Sequence, residues 1–290
     1  MRYLNSASQE GGSVTDFREG LKEAGYVEGQ NVLIEYRWAE GHYERLPALV
    51  AGLVSRKVTV IFANTASTPI AKAATTTIPI VFQVGSDPVK DGLVESLHRP
   101  GGNLTGVVSL NAEVGPKRLE FMRELVPTAT IIGLLVNPAN PITKTLSEEA
   151  KEAARALGLQ LHILLAGSDD ELDKVFPNLA DLRVGALVIG ADAFFGSRSG
   201  PLAALAARYQ MPTISPYRAF ATAGGLVGYG SSTKDSFRLA GVYTGRILKG
   251  EKPADLPVQQ STKVEMIINL KEQRRWVSQF HCRFWVAPTR

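Results

Sequence analysis

Residues 58–63 read Val-Thr-Val-Ile-Phe-Ala and residues 186–191 read Ala-Leu-Val-Ile-Gly-Ala, and these two apolar stretches decide the fold class. Neither stretch alternates apolar with polar side chains, which is typical of strands buried on both faces of a parallel sheet. Similar stretches occur at residues 31–36, 78–84, 131–136, 159–165, 211–215 and 226–229. Helical patterns lie between them, at residues 14–24, 45–55, 147–157, 171–182 and 201–209. Strands that alternate with helices in this way predict an α/β fold built on parallel sheets.

The chain also contains an internal repeat. Residues 17–63 and residues 149–191 share one order of elements, at an offset of about 128 to 133 residues. In each copy an Ala-rich helix and a Pro-led strand follow, with Ile78-Pro79-Ile80 in the first and Met211-Pro212-Thr213 in the second. Two unrelated α/β segments can look alike, so chance similarity remains an alternative. The repeat predicts two similar lobes, each with a small doubly wound sheet.

Small polar residues follow the predicted strands in both halves. In open parallel sheets, ligands bind beyond the carboxyl ends of the strands, and clefts form where two domains meet. Hydroxyl and amide residues ahead of a helix also serve as plain N-caps, which accounts for about half of these positions. The rest of the pattern predicts a binding site between the lobes. The predicted ligand-binding residues are Asn5, Ser6, Ser8, Asn64, Thr65, Ser67 and Asp87 in the first half, and Asn137, Asn140, Asp192, Phe194, Tyr217 and Tyr229 in the second.

Charge and cysteine content exclude several kinds of partner and chemistry. The 290 residues include 32 basic and 28 acidic side chains, and the net charge of +4 comes entirely from residues 271–290. The residues before this tail are neutral overall, so the sequence predicts no basic surface and no nucleic-acid partner. The one cysteine, Cys282, lies in the same tail. Disulfides, zinc ribbons and a cysteine nucleophile are therefore excluded from the body of the protein.

The sequence lacks the common catalytic and cofactor motifs. No G-x-G-x-x-G follows a predicted strand, and neither a Walker A sequence nor H-E-x-x-H nor G-x-S-x-G occurs. Asp87 and Asp192 are placed to pair across a cleft, but two carboxylates with neither a nucleophile nor a metal are weak evidence for catalysis. The sequence therefore predicts a binding protein that is not an enzyme and needs no metal or cofactor.

Several longer runs resemble a known family. Residues 17–32, Phe-Arg-Glu-Gly-Leu-Lys-Glu-Ala-Gly-Tyr-Val-Glu-Gly-Gln-Asn-Val, are similar to the N-terminal signature of ABC-transporter substrate-binding proteins of the tryptophan/tyrosine-type group. Residues 36–41, 78–82, 99–106 and 245–250 also resemble that group. The resemblance implies the type I periplasmic-binding fold, in which two Rossmann-like lobes joined by a three-crossover hinge close over a small solute. It places residues 1–108 with 230–262 in lobe one and residues 109–229 with 263–290 in lobe two.

The same resemblance implies a function. It indicates an extracytoplasmic receptor that binds its solute by hinge closure and delivers it to the permease of an ABC importer. Proteins of this group carry an export or lipoprotein signal, and the given sequence, which begins Met-Arg-Tyr-Leu-Asn, shows none. The location expected from the resemblance is periplasmic, or extracytoplasmic with a membrane anchor. Two alternatives share the fold. One is the effector-binding domain of a transcriptional regulator, which needs a helix-turn-helix and a basic surface, and the other is a small-molecule enzyme that uses the cleft between the lobes.

The predicted cleft suggests the class of ligand. Its loops carry few charges, and their hydroxyl groups together with helix N-termini suit a carboxylate. Either Asp87 or Asp192 is placed to hold an ammonium group through a charge-assisted hydrogen bond. Phe194, Tyr217 and Tyr229 supply faces for an apolar or aromatic side chain. The expected ligand is therefore an amino acid or a similar aromatic or branched carboxylate, as the family resemblance also implies.

The C-terminal tail departs from the family. After Asn269-Leu270-Lys271 the chain continues Glu-Gln-Arg-Arg-Trp, where the family has a helix start followed by Val-Pro. We hypothesise that residues 275–290 are read from a shifted frame, since codons can be chosen that restore the family's sequence. The charge of the tail is then accidental, and its aromatic side chains add exposed apolar surface.

Overall fold

Two six-stranded sheets organise the computed structural model, which describes residues 1–8, 13–56, 58–109 and 111–272. The first sheet contains β1 (Arg2–Asn5), β2 (Glu35–Trp38), β3 (Ile61–Asn64), β4 (Ile80–Val84), β5 (Leu104–Ser109) and β11 (Gln259–Ser261). The second contains β6 (Ile131–Val136), β7 (Gln160–Leu165), β8 (Ala186–Ile189), β9 (Thr213–Ser215), β10 (Val227–Ser231) and β12 (Val264–Ile268). We call the two halves built on these sheets lobe one and lobe two.

The two sheets share one strand order. Lobe one runs β11-β5-β4-β3-β1-β2 and lobe two runs β12-β10-β9-β8-β6-β7, so each strand has a counterpart at the same place in the other sheet. All neighbouring strands are parallel except β12, which pairs antiparallel with β10 from Val227 opposite Ile268 to Ser231 opposite Val264. The predicted α/β fold with two Rossmann-like lobes is confirmed, with an antiparallel edge strand in the second sheet.

Helices cover both faces of each sheet. Those of lobe one are α1 (Ser13–Glu23), α2 (Leu46–Val54), α3 (Thr68–Ala74) and α10 (Thr233–Leu248). Those of lobe two are α4 (Gly115–Leu125), α5 (Thr143–Ala156), α6 (Asp169–Asn178), α7 (Ala193–Ser197), α8 (Ser199–Arg208) and α9 (Arg218–Thr222). None of the helices in the described ranges is long and apolar enough to cross a membrane. The apolar strands and the inner helix faces form separate cores in the two lobes.

The pair α1 and α10 packs unusually closely. A Cβ at Gly20 would lie 1.8 Å from the backbone oxygen of Arg238, and one at Gly241 would lie 2.1 Å from the backbone oxygen of Phe17. Only glycine fits at such distances, so these two positions let the helix backbones touch. The N-terminal ends of α1 and α10 are thereby held side by side at the edge of lobe one that faces lobe two.

The chain passes between the lobes three times. It leaves lobe one after β5, returns after β10, and crosses again between β11 and β12. Hydrogen bonds join the crossing segments, with the Ser231 amide donating to Asn111 Oδ1 (2.9 Å) and the Ser232 amide donating to the Lys263 oxygen (2.8 Å). The boundary expected between residues 229 and 230 falls inside β10, whose pairing with β12 continues to Ser231. The frame-shift hypothesis for residues 275–290 lies outside the described residues.

Predicted and observed strands agree best in the centre of each sheet. β6 has the predicted bounds, and β3, β4, β7 and β8 lie within or beside theirs. β2 begins at Glu35, later than the predicted start at residue 31, because the segment before it forms turns around Gly29. β5, β11 and β12 were not predicted, since polar residues or glycine interrupt their apolar character.

Candidate functional site

A cavity of about 540 Å³ lies between the lobes, at the carboxyl ends of the strands. Its volume falls in the range of small-molecule sites, about 300–1,000 Å³. Loops after strands of both sheets line it, together with the N-terminal end of α10. Of the residues predicted from sequence, the structure places these at the cavity wall: Asn5, Ser6, Asn64, Thr65, Asn140, Asp192 and Tyr217.

Three predicted residues lie behind this wall. Ser67 is buried and donates from its hydroxyl to Asn64 Oδ1 at 2.6 Å. Asn137 is buried and donates from Nδ2 to Asp192 Oδ1 at 3.3 Å. Phe194 is buried in the core of lobe two, with the Arg198 guanidinium 4.2 Å from its ring centre. These side chains support lining residues and do not line the cavity themselves.

The other three predicted residues lie away from the lining. The Asp87 carboxylate accepts hydrogen bonds from the amides of Val89 (2.9 Å) and Lys90 (3.3 Å), as in an Asx turn. The ring of Tyr229 packs edge-on against Phe121, with centres 4.8 Å apart. Ser8 is half-buried and is not among the lining residues. Because β-strand side chains alternate between faces, the Tyr229 ring points to the face of its sheet that α4 covers, and it does not reach the cavity.

Amide side chains organise the wall of lobe one. Asn64, at the end of β3, donates from Nδ2 to Asn5 Oδ1 (3.0 Å) and to Ser6 Oγ (2.7 Å). Its Oδ1 accepts from the Ser6 amide at 3.1 Å and from Ser67. Asn5 Oδ1 also accepts from the Ala7 amide at 2.9 Å, which fixes the turn after β1. The network is neutral, and Asn64 uses both its donor and its acceptor in it.

A buried carboxylate organises the wall of lobe two. Asp192 follows β8 and is 4% exposed. Its oxygens accept from Asn140 Nδ2 (2.6 Å), from Asn137 Nδ2 and from the amide of Phe194 (2.8 Å), so Asp192 is the N-cap of α7. Burial raises the pKa of Asp192 above its usual range, and the hydrogen bonds from Tyr43, Asn137 and Asn140 oppose this rise.

The hydroxyl of Tyr43 links the two walls directly. Tyr43, in the short 3₁₀ helix Tyr43–Arg45 of lobe one, places its hydroxyl 2.9 and 3.0 Å from the two carboxylate oxygens of Asp192. Burial beside this carboxylate raises the pKa of Tyr43 well above its usual value, so the hydroxyl keeps its proton and donates. Tyr217 donates from its own hydroxyl to the Asp192 backbone oxygen at 2.7 Å, within lobe two. The lobes are therefore in direct polar contact at one end of the cavity.

One buried hydroxyl at the cavity, that of Ser109, has no hydrogen-bond partner among the described residues. Ser109, the last residue of β5, is 2% exposed and lines the cavity. Among the described residues, its Oγ is the one fully buried side-chain polar atom without a hydrogen bond. Its neighbour across the sheet, Ser261, donates to Asp235 Oδ2 at 3.1 Å. Because an unpaired buried hydroxyl is destabilising by about 1–3 kcal/mol, Ser109 is the clearest position for a ligand's polar atom.

A buried arginine fixes the crossing segments behind the cavity. Arg118, on α4, is 1% exposed, and burial lowers its pKa to about 10. Its Nε donates to the Tyr229 oxygen at 2.8 Å and its NH2 group donates to the Asn111 oxygen at 2.9 Å. The first and second crossings are therefore held by one side chain as well as by the Asn111 side chain. The guanidinium keeps its proton at neutral pH, since even the lowered pKa lies well above 7.

Sequence reasoning missed much of the cavity wall. The missed polar and aromatic lining residues include Asp16, Tyr43, Gln83, Ser109, Asn111, Lys234, Phe237 and Glu265. Most of them belong to α1, α10 and the crossing segments, which reach the cleft only through tertiary packing. One sequence signal was available for α10, because Ser231-Ser232-Thr233 precedes a long amphipathic pattern and is typical of a helix start. Groups of three or more potential metal ligands are absent from the described part of the chain.

Comparisons with known proteins agree with this architecture. The family described as "ABC transporter substrate binding protein" matches residues 10–279. The chain is 27% identical over 257 residues to the "Tyrosine-binding protein" of Clostridioides difficile, an alignment that covers 87% of this chain and 73% of that protein.

Two solved structures are also similar. The ABC domain from Streptococcus pneumonia in complex with L-Trp has a TM-score of 0.84 and 25% identity, with 95% of this chain and 93% of that chain covered. A conserved domain protein from Vibrio cholerae has a TM-score of 0.86 and 24% identity over the same shares, which shows the likeness of fold.

Proposed function

This chain belongs to the family of ABC transporter substrate binding proteins, and we propose that it is the extracytoplasmic solute receptor of an ABC importer. The observation that carries the proposal is the cavity of about 540 Å³ whose walls come from both lobes. A solute in this position is held by two bodies at once, so its binding and the approach of the lobes are coupled. Release to a permease on opening completes the cycle of such a receptor, and it requires no catalytic step.

We propose an aromatic amino acid as the solute. A relative at 27% identity is named for tyrosine, and a structure at 25% identity holds L-Trp. In this chain, Tyr217 of lobe two and Phe237 of lobe one both line the cavity. Their faces suit a ring in offset or edge-on packing, worth about 0.5–1.5 kcal/mol beyond the burial of area. Charged lining residues of both signs, such as Asp16 and Lys234, suit a zwitterion.

Hinge closure is the proposed mode of binding. Tyr43 of lobe one and Asp192 of lobe two join the lobes at the cavity, and their hydrogen bond exists only when the lobes are close. Arg118 and Asn111 tie the crossing segments together, so the hinge keeps its internal geometry while the lobes rotate. Scattering from the protein in solution tests this: saturating ligand should reduce the radius of gyration, and an unchanged radius would contradict closure.

The proposed contact residues include the predicted residues at the cavity wall together with Ser109. Ser109→Ala should weaken ligand binding about five- to tenfold while leaving the stability of the unliganded protein unchanged or slightly raised, because the hydroxyl is unpaired there. Ser261→Ala is the matched control. This change removes a buried hydroxyl at the position of β11 that pairs with Ser109, where the hydroxyl donates a hydrogen bond to Asp235. It should therefore lower stability without changing the affinity for the ligand. If Ser109→Ala instead lowers stability and leaves the affinity unchanged, the hydroxyl of Ser109 has a structural role.

A calorimetric ligand panel tests the function directly. L-tyrosine, L-tryptophan and L-phenylalanine are titrated into the protein beside L-leucine, myo-inositol and spermidine. The aromatic amino acids should bind most tightly and should raise the thermal midpoint, since a ligand that binds only the folded state stabilises it by mass action. Tighter binding of the polyol or the polyamine would overturn the proposed ligand class.

A further inference from the structure

Three carboxylates of the described residues line the cavity, and their surroundings differ. Asp192 already accepts hydrogen bonds from three side chains and from the Phe194 amide, which fills the acceptor positions of a carboxylate. Glu265 lies 3.9 Å from an Arg218 nitrogen and 3.8 Å from Lys263 Nζ, so two cations face it. A ligand ammonium at either position would have to displace or oppose groups that are present already.

Asp16 is different. It lies in the first turn of α1, lines the cavity and is half-buried. Within the described ranges no cation lies within 4.0 Å of its carboxylate, and no hydrogen-bond donor reaches it. The nearest helix neighbour of opposite charge, Lys234 on α10, places its Nζ 3.8 Å from Glu19, one turn further along α1. Burial raises the pKa of Asp16, and Lys234 opposes this rise.

Packing of α1 sets the position of Asp16. It precedes Phe17, whose ring is fully buried, and α1 is pressed onto α10 through Gly20 and Gly241. A carboxylate whose backbone is held by packing loses less conformational freedom on binding a ligand than one on a loop, which favours its use in recognition. The hydroxyl of Ser109 lines the same cavity and has no hydrogen bond to the described residues, so it is a second group that a polar ligand atom can bond.

We propose that the Asp16 carboxylate accepts a charge-assisted hydrogen bond from the α-ammonium group of the bound amino acid. This inference rests on the proposed function and adds the residue that separates amino acids from carboxylic acids without an amine. A primary ammonium supplies the donors and the positive charge that Asp16 lacks. The residue thereby determines specificity for the amino acid backbone, whereas the aromatic faces read the side chain.

Deaminated analogues provide the test. Titrations compare L-tyrosine with 3-(4-hydroxyphenyl)propanoate, and L-tryptophan with 3-(indol-3-yl)propanoate. The wild-type protein should prefer each amino acid over its analogue by about ten- to a hundredfold, the size expected for a hydrogen bond to a charged group. In Asp16→Asn this preference should fall to within about threefold. Asp16→Glu, which keeps the charge, should retain part of it.

Glu23→Gln is the matched control. Glu23 is a carboxylate of the same helix that pairs with Arg238 at 2.8 Å outside the cavity, so its removal should leave the preference at the wild-type value. Thermal unfolding of each variant confirms that it is folded. If the wild-type protein binds both amino acids and Asp16→Asn keeps the full preference, Asp16 does not recognise the ammonium. If the wild-type protein binds neither, the proposed ligand class fails and this inference falls with it.

Discussion

Asn64 and Asp192 occupy corresponding places in the two lobes, and they differ by one atom type. Asn64 ends β3 and Asp192 follows β8. Each hydrogen-bonds an asparagine at the end of the neighbouring strand, which is Asn5 as the last residue of β1 and Asn137 directly after β6. Both asparagines accept from the amide two residues on, at 2.9 and 3.0 Å. The repeated fold has therefore kept the same two-residue contact in both walls of the cavity.

The difference lies in what surrounds the pair. An amide both donates and accepts, so Asn64 completes its hydrogen bonds within lobe one. A carboxylate only accepts, so Asp192 requires donors on every side, and one of them, Tyr43, comes from the other lobe. The hydrogen bonds of Asn64 therefore stay within lobe one, whereas those of Asp192 in lobe two include a donor from lobe one. The asymmetry places the contact between lobes at lobe two's carboxylate.

The largest expected effect comes from removing the carboxylate. Asp192→Ala leaves the Tyr43 hydroxyl and the Phe194 amide buried without their acceptor, and Asn140 Nδ2 keeps only the Ala191 oxygen at 3.3 Å. This change should lower the free energy of unfolding by about 3 kcal/mol or more. Asn64→Ala should lower it by about 1–2 kcal/mol, because the neighbouring hydroxyls of Ser6 and Ser67 are free to rotate to new partners. Urea denaturation without ligand measures both, and equal losses would contradict the asymmetry.

The contact between the lobes can be removed by itself. Tyr43→Phe deletes the hydroxyl that reaches Asp192 and should weaken ligand binding about fivefold, roughly 1 kcal/mol, because the closed arrangement loses one hydrogen bond. Tyr217→Phe deletes the same atom from a tyrosine whose hydroxyl bond, to the Asp192 backbone, stays within lobe two. Calorimetry should show the larger loss of affinity in Tyr43→Phe, and scattering should show that variant more open without ligand. A larger loss of affinity in Tyr217→Phe would show that the hydrogen bond between Tyr43 and Asp192 does not stabilise the ligand-bound form.

The smallest expected effect is a difference in pH dependence between the two walls. Because the pKa of Asp192 is raised in the folded protein, this group binds its proton more readily when folded than when unfolded. Its contribution to stability is therefore complete below the unfolded pKa, about 3.9, and is lost as pH rises through the higher folded pKa. The stability of the wild-type protein minus that of Asp192→Asn should accordingly grow as pH is lowered from 7.

Asn64 supplies the reference for this measurement. It does not titrate, so the difference between the wild-type protein and Asn64→Ala should stay constant over the same pH range, while other groups such as Asp16 titrate alike in both proteins. Urea midpoints at a series of pH values give both curves. A flat curve for Asp192→Asn, or a sloping one for Asn64→Ala, would show that burial does not set the charge of lobe two's wall.

Much of the architecture could be predicted from particular residues. The apolar runs of β3 and β8 identified corresponding strands, and the polar residues after them marked the edge of each sheet where the cavity lies. The prediction of site residues was wrong where a side chain bonds or packs within its own lobe and does not face the cavity. Asp87 follows β4, but its carboxylate caps its own turn, and the ring of Tyr229 fills the space against Phe121. Residue type and position after a strand do not separate these uses.

The sequence by itself determined the α/β alternation, the repeat and the position of the polar loops, because strand burial and turn chemistry are local properties that neighbouring residues record. Tertiary structure alone decided which groups meet. Tyr43 and Asp192 are 149 residues apart, and Asp16 reaches the cavity because α1 packs on α10. Whether a carboxylate is saturated, as at Asp192, or open to a ligand, as at Asp16, depends on donors that arrive from distant parts of the chain. The tertiary structure, and not the type of residue, determines which hydrogen-bond donors lie beside each carboxylate.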